Sequence, residues 1–249
     1  MIIAAAQIPA RAGDLTYNAA LHLQFARMAA GCRAQMVVFP ELSLTGYELG
    51  LARTHAVRPD SGLLHDLRQL AAESAMSIVV GAPLHAPGPA LHIGAIILQP
   101  DGNVATYRKV YVHASEQGVF APGPGGADIR LPDASAALAI CADASEPLHA
   151  AGAAQRGVAL YAVGAMIEER AYARKSASLA EYARQHRMAV LLANYCGSTG
   201  GEVSAGGSAV WSEQGSVVVA ARGGEAALVI ASRENGAWRG KVKPVPSGL

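Results

Sequence analysis

The chain has 249 residues, 51% of them hydrophobic, with 20 basic and 19 acidic side chains and a net charge of +1. That length can bury one large core, and the near-neutral charge, 5% aromatic content and lack of a basic block argue against a nucleic-acid partner. No apolar run approaches the roughly 18 residues that span a bilayer, so no membrane partner is expected.

Nothing in the sequence reads as a linker, so a single domain over residues 1–249 is expected. The opening MIIAAAQIPA has neither a basic leading segment nor a small-residue cleavage site; it reads as a strand, and a cytoplasmic location is expected. The three cysteines, Cys32, Cys141 and Cys196, are widely spaced, with no CxxC pair and no histidine ladder nearby. That pattern fits neither a disulfide framework nor a zinc site, and no metal or organic cofactor is expected.

In chain order, Ile2 to Gln7 predicts a strand, and Leu21, Phe25, Met28 and Ala29 mark one face of a helix starting near Thr16, with Asp14 or Thr16 as its cap and Gly31 at its end. Gln35 to Phe39 predicts a second strand running into Pro40 and Glu41. This strand, helix, strand order implies a parallel crossover. Ser61 caps a second predicted helix bearing Leu63, Leu64, Leu67, Leu70 and Ala71, and Ser77 to Ala82 is a third strand. HIGAIIL and NVATYRK form a predicted hairpin around Pro100-Asp101-Gly102-Asn103. Ala136 to Ile140 is a buried strand ending at Cys141, and a helix is predicted from Leu148 to Arg156. A strand over Gly157 to Val163, a long helix over Glu169 to Arg187 and a strand over Met188 to Asn194 follow. SAVWSEQGSVVVAA and EAALVIAS read as antiparallel strands. Apolar strands alternating with helices indicate an α/β protein with sheets buried on both faces.

Three strand ends carry chemistry. Glu41 follows an apolar strand and a proline, where open α/β sheets place their ligands, and an acid in so apolar a segment holds its proton strongly. Lys109 ends the hairpin strand in a chain with 16 arginines and only four lysines, a hint that a compact ammonium is wanted there. Cys141 leaves its strand into a polar turn. Read singly, each has a plain alternative: a cap, a solvated lysine, a core thiol. No histidine stands out by context, although His113 and His149 lie nearest the candidate loops.

Together PE, YRK and ICAD, in that order, resemble the nitrilase superfamily of carbon-nitrogen hydrolases. AQIPARAGDLTYNAA, VVFPELSLTGYE, YRKVYVH, EQGVFAPG, ICADASEP, EYARQHRMAVLLANYCG and GGSAVWSEQGSVV extend the resemblance to about residue 232. It implies a four-layer α-β-β-α sandwich with two mixed β-sheets, often a homodimer. It further implies Glu41, Lys109 and Cys141 as the catalytic set, with Glu116 as a second glutamate orienting substrate or Lys109. In that mechanism Cys141 attacks a small linear amide or carbamoyl compound, Glu41 moves protons, and Lys109 with the Ala142 backbone N–H holds the oxyanion. Ala142 and Asp143 after the cysteine favour an amide over a nitrile. Tyr47 and Met166 are candidates to face the cleft, with core packing as the alternative, and Glu146 and Leu148 depart from the family pattern where substrate choice would lie. An acyltransferase, a nitrile hydrolase and a non-catalytic binding protein are the competing readings.

Overall fold

The computed structural model describes residues 1–85 and 90–245. Its first strand, β1 (Ile2–Gln7), leads into α1 (Leu15–Ala30), whose first turn is closed by Asp14 Oδ1 accepting from Tyr17 N at 3.0 Å. Asp14 rather than Thr16 is the cap. Helix α1 buries Leu21, Phe25 and Ala29, while Met28 is only partly covered. Full burial of a side chain such as Phe25 contributes about 1.5–3 kcal/mol. Gly31 follows the helix with ordinary right-handed backbone (φ −60°), and the left-handed residue that turns the chain is Arg33 at φ 57°.

β2 (Met36–Val38) runs parallel to β1, and β3 (Ser77–His85) parallel to β2. Between them Ser61 caps one 3-10 turn (Gly62–Leu64) that feeds α2 (His65–Glu73). β4 (Leu91–Leu98) and β5 (Val104–Arg108) are the expected hairpin. β6 (Ile129–Leu131) and β7 (Ala134–Ile140) pair antiparallel, and Pro147 opens α3 (Pro147–Gln155). β8 (Leu160–Ala165) begins later than expected because Gly157, at φ 75°, is spent turning the chain out of α3. Then come α4 (Glu169–His186), β9 (Ala189–Asn194), the small hairpin β10 (Cys196–Thr199) and β11 (Glu202–Ala205), and β12 (Ala209–Trp211), β13 (Val217–Ala220), β14 (Ala227–Glu234) and β15 (Ala237–Pro244).

The strands make a seven-stranded sheet, β15-β14-β1-β2-β3-β4-β5, and a six-stranded sheet, β13-β12-β9-β8-β7-β6, both mixed. Side chains alternate across each strand. In β1, Ile3 and Ala5 face inward, joining Val38, Val79, Leu138, Ala162 and Leu191 in the core between the sheets. Ala4 and Ala6 face outward beneath α1 and α2, and the outer face of the second sheet packs on α3 and α4. The result is the four-layer α-β-β-α sandwich. Among the described residues, no helix is long and apolar enough to cross a membrane.

Two glycines fix how closely the sheets meet. A Cβ on Gly81 of β3 would lie 2.2 Å from Pro40 O, and one on Gly164 of β8 would lie 2.7 Å from Phe39 O. The segment leading to Glu41 therefore runs in the seam, with a bare glycine of each sheet against its backbone.

Candidate active site

Several strands end on one edge of this seam. Glu41 follows β2, Lys109 follows β5, Cys141 follows β7, Met166 follows β8 and Tyr195 follows β9. β7, β8 and β9 are parallel neighbours, with Ile140 opposite Gly164 and Gly164 opposite Ala193, so residues just past them converge.

Glu41 is 1% exposed, in a turn where Leu42 has φ 52°. The turn is held from three sides. Tyr195 Oη donates to Glu41 O at 2.6 Å, and Ser43 Oγ accepts from Gly81 N at 3.1 Å. Buried His22 stacks on Phe39 with ring centroids 4.1 Å apart, and its Nε2 lies 2.8 Å from Ser43 Oγ. Burial lowers the His22 pKa to about 4, so its ring is neutral at ordinary pH.

The Lys109 ammonium donates to Glu41 Oε1 at 2.6 Å and to both Glu116 oxygens at 2.8 Å, and all three side chains are wholly buried. Glu116 also accepts from Tyr47 Oη at 2.6 Å and from His113 N at 2.7 Å, the latter part of a capping box that fixes its short turn. Burial pushes the Glu41 carboxyl up to about 7, the Lys109 charge opposing and the Glu116 charge adding to the rise. Burial works against the Lys109 ammonium, but Glu41, Cys141 and Glu116 outweigh it and hold Lys109 protonated above the ordinary lysine range. Among the described residues, Glu41 Oε2 has no hydrogen-bond partner.

Cys141 opens the 3-10 turn Cys141–Ser145 with φ 43°, and its half-buried Sγ donates to Met166 O at 3.7 Å. Burial and then the Glu41 charge push the thiol up to about 12, against the pull of Lys109. At rest the proton stays on sulfur. Ala142 is the next residue of that turn, where backbone N–H groups lack an acceptor within the turn itself.

A cleft of about 670 Å³ opens onto Cys141 and is bordered by Tyr47, His113, Glu116 and Met166. Tyr47 and Met166, the two cleft candidates of the sequence, both border it. Glu146 and Leu148 do not border it, and Leu148 is 79% exposed on α3. These two departures from the family pattern do not line the site. Neither neighbouring histidine is bonded to the thiol: His113 Nδ1 lies 2.8 Å from Ser115 Oγ, and His149 sits between Tyr107 Oη and Tyr161 Oη at 2.9 and 2.8 Å. Among the described residues, no group of three or more His, Cys, Asp or Glu side chains is placed to hold a metal ion.

From the sequence Asp143 was a mark of amide preference only; its part in holding the turn was not legible there. This buried carboxylate accepts from Val110 N (3.0 Å), Tyr111 N (2.8 Å), Tyr107 Oη (2.7 Å) and Ile140 N (3.0 Å), tying the segment after Lys109 to the turn of Cys141. The signal was its place two residues after the thiol.

The family model of carbon-nitrogen hydrolases matches residues 2–239. An (R)-stereoselective amidase of a Pseudomonas species is 26% identical over 211 residues, covering 84% of this chain and 76% of that protein. Among solved structures, a cysteine-to-alanine mutant of the amidase from Nesterenkonia sp. AN1, in complex with butyramide, matches with TM-score 0.84 and 26% identity over 92% of this chain and 89% of that one. A glutamate-to-glutamine mutant of the same amidase, with acrylamide joined to the active site cysteine by Michael addition, matches with TM-score 0.83 and 26% identity over 92% of each chain. The two mixed sheets and their helix layers are the architecture of these amidases.

Proposed function

We propose, for a chain that belongs to the carbon-nitrogen hydrolase family and is an amidase of the nitrilase superfamily, that Cys141 is the nucleophile, Glu41 the proton carrier and Lys109 the oxyanion clamp in hydrolysis of small linear amides. The observation that carries this reading is the buried ammonium of Lys109 shared between Glu41 and Glu116, with Glu116 and Cys141 both bordering the cleft.

An amide carbonyl is a weak electrophile, and a covalent intermediate divides its hydrolysis into two easier steps. Glu41 takes the proton of Cys141 as sulfur bonds to the carbonyl carbon. The oxyanion that forms is held by Lys109 and the Ala142 N–H. As the intermediate collapses, the C–N bond breaks and Glu41 returns its proton to the departing ammonia or amine, leaving a thioester. Glu41 then removes a proton from water, the hydroxide attacks the thioester, and the acid and the free thiol are released. A carboxyl with a pKa of about 7 suits both directions of transfer near neutral pH. Glu116 bonds Lys109 with both oxygens, so its role is to aim the ammonium rather than to exchange protons.

Two events fit one site because the same carboxylate faces first the thiol and then the water. Incubating the protein with short amides and measuring ammonia, with Cys141→Ala as the blank, tests the reading. Turnover with a thioester mass on Cys141 is expected, and turnover that survives in Cys141→Ala overturns it. Addition of an amine acceptor separates hydrolysis from acyl transfer by the products formed. One domain spanning residues 1–249, a cytoplasmic location and assembly as a homodimer belong to the same reading. They are checked by limited proteolysis, fractionation and sedimentation.

A further inference from the structure

One wall of the cleft is α4, which presents Arg170, Arg174 and Lys175 to the space beside Cys141. Most charged groups here are answered by the protein itself. Arg170 pairs with Glu168 at 2.7 Å and with Glu202 at 3.6 Å. Glu48, across the cleft, accepts from Gly200 N at 2.8 Å and Thr199 Oγ1 at 3.3 Å, and Glu116 is taken up by Lys109.

Among the described residues two cations of this wall, like Glu48 opposite, have no partner of opposite charge. Lys175 donates to the neutral hydroxyl of Ser145, at the far end of the nucleophile's turn. That hydroxyl carries no charge, and among the described residues no carboxylate lies within ion-pair distance of the Lys175 ammonium. Arg174, one residue earlier, has no acidic partner among the described residues. Lys175 also borders the small recess under Cys141 formed with Ala144, Ile167 and Leu179. Its charge reaches the thiol, where it opposes the upward shift. In a chain with only four lysines, this one is half-buried and placed beside the reacting sulfur.

We infer that Lys175, with Arg174 beside it, is a subsite for an anionic group on the substrate, so that the preferred substrates are short amides bearing a carboxylate at the far end of the chain. This rests on the reading of Cys141 as an amide nucleophile. A carboxylate arriving there finds a half-buried ammonium and an exposed guanidinium with no acidic partner among the described residues, and the charge-assisted bonds also orient the amide end toward sulfur.

The test compares ω-carboxyl amides (malonamate, succinamate, glutaramate, adipamate) with uncharged amides of matching length, by ammonia release. At least one charged member is expected to exceed its neutral counterpart about tenfold or more in kcat/KM, chiefly through KM, as one charge-assisted hydrogen bond supplies. In Lys175→Met that ratio falls toward one. In Lys175→Glu it inverts in favour of ω-amino amides, and in Lys175→Arg it largely persists. Added salt compresses it in the wild type. Neutral amides turned over as well as or better than every charged partner, or a ratio unmoved in Lys175→Met, overturn the subsite while leaving the amidase reading intact. No turnover of either series overturns both.

Discussion

Lys109→Met removes the ammonium that two buried carboxylates share. The nitrogen lies 2.6 Å from Glu41 and 2.8 Å from both oxygens of Glu116, with no solvent to take its place. Removing one partner of a buried ion pair costs about 3–5 kcal/mol, because the other charge is stranded. Part of this is recovered by proton uptake. Glu41 is already raised to about 7, and without the lysine it titrates higher still. A net loss near 3 kcal/mol at neutral pH follows, and for a chain of this size that lowers Tm by roughly 6–12 °C. The loss is larger at pH 8 than at pH 6, where a proton neutralises the stranded Glu41. Turnover falls about 100- to 1000-fold or more, the loss expected for an oxyanion donor. Adding Glu116→Gln removes one stranded charge, so Lys109→Met/Glu116→Gln regains stability without regaining turnover. Circular-dichroism melts at the two pH values and ammonia release test this directly. An unchanged Tm for Lys109→Met at pH 8, or recovered turnover in the double variant, refutes the shared-cation account.

The Glu41 titration has two signs. Its native pKa of about 7 lies above the ordinary 4.5, so its stabilising contribution is complete below about 4.5 and is lost as pH rises to about 7, while kcat/KM rises through the same upper limit. Glu41→Gln abolishes both slopes, measurable by melts and by pH-rate profiles, and a retained acidic limb contradicts the assignment. Gly81→Ala drives a methyl group to 2.2 Å from Pro40 O and pushes the Glu41 turn out of the seam; a stability loss of about 1–3 kcal/mol with a larger fall in kcat than in KM is expected from melts and kinetics. Asp143→Asn turns an acceptor of four hydrogen bonds into a group that must also donate, lowering stability by about 2–3 kcal/mol and slowing alkylation of Cys141 by iodoacetamide. Unchanged alkylation separates Asp143 from the nucleophile's turn.

The fold's central strands were legible because both sheets are covered on both faces, which writes MVV, SIVVGA and AVLLAN as nearly pure apolar runs. β10 and β11 were not legible. Their hairpin lies outside both large sheets, its exposed Glu202 and Val203 follow no core period, and it is held instead by Thr199 and Ser204 hydrogen bonds. β15 was hidden for a related reason. Residues Arg239 to Lys243 are exposed on a sheet edge and read as polar surface, and Lys241 and Lys243 are the kind of side chain that guards such an edge. At the candidate site, Glu41, Lys109 and Cys141 were picked out because each follows a strand inside a short motif. The contacts of Tyr195, His22 and Asp143 could not be, because they join groups 154, 21 and about 33 residues apart in the chain. Lys175 stands in no motif of the sequence; only the packing of α4 along the cleft sets it near the thiol.

The positive φ of Cys141 sets the demands of heat and of turnover against each other at a single codon. Left-handed backbone is the province of glycine, and a side chain there costs about 1–2 kcal/mol. A population of variants sorted by heat resistance alone drifts toward glycine at position 141 and loses the thiol. Laboratory evolution of this protein therefore needs turnover in every round of sorting, since the most durable descendants are otherwise inert.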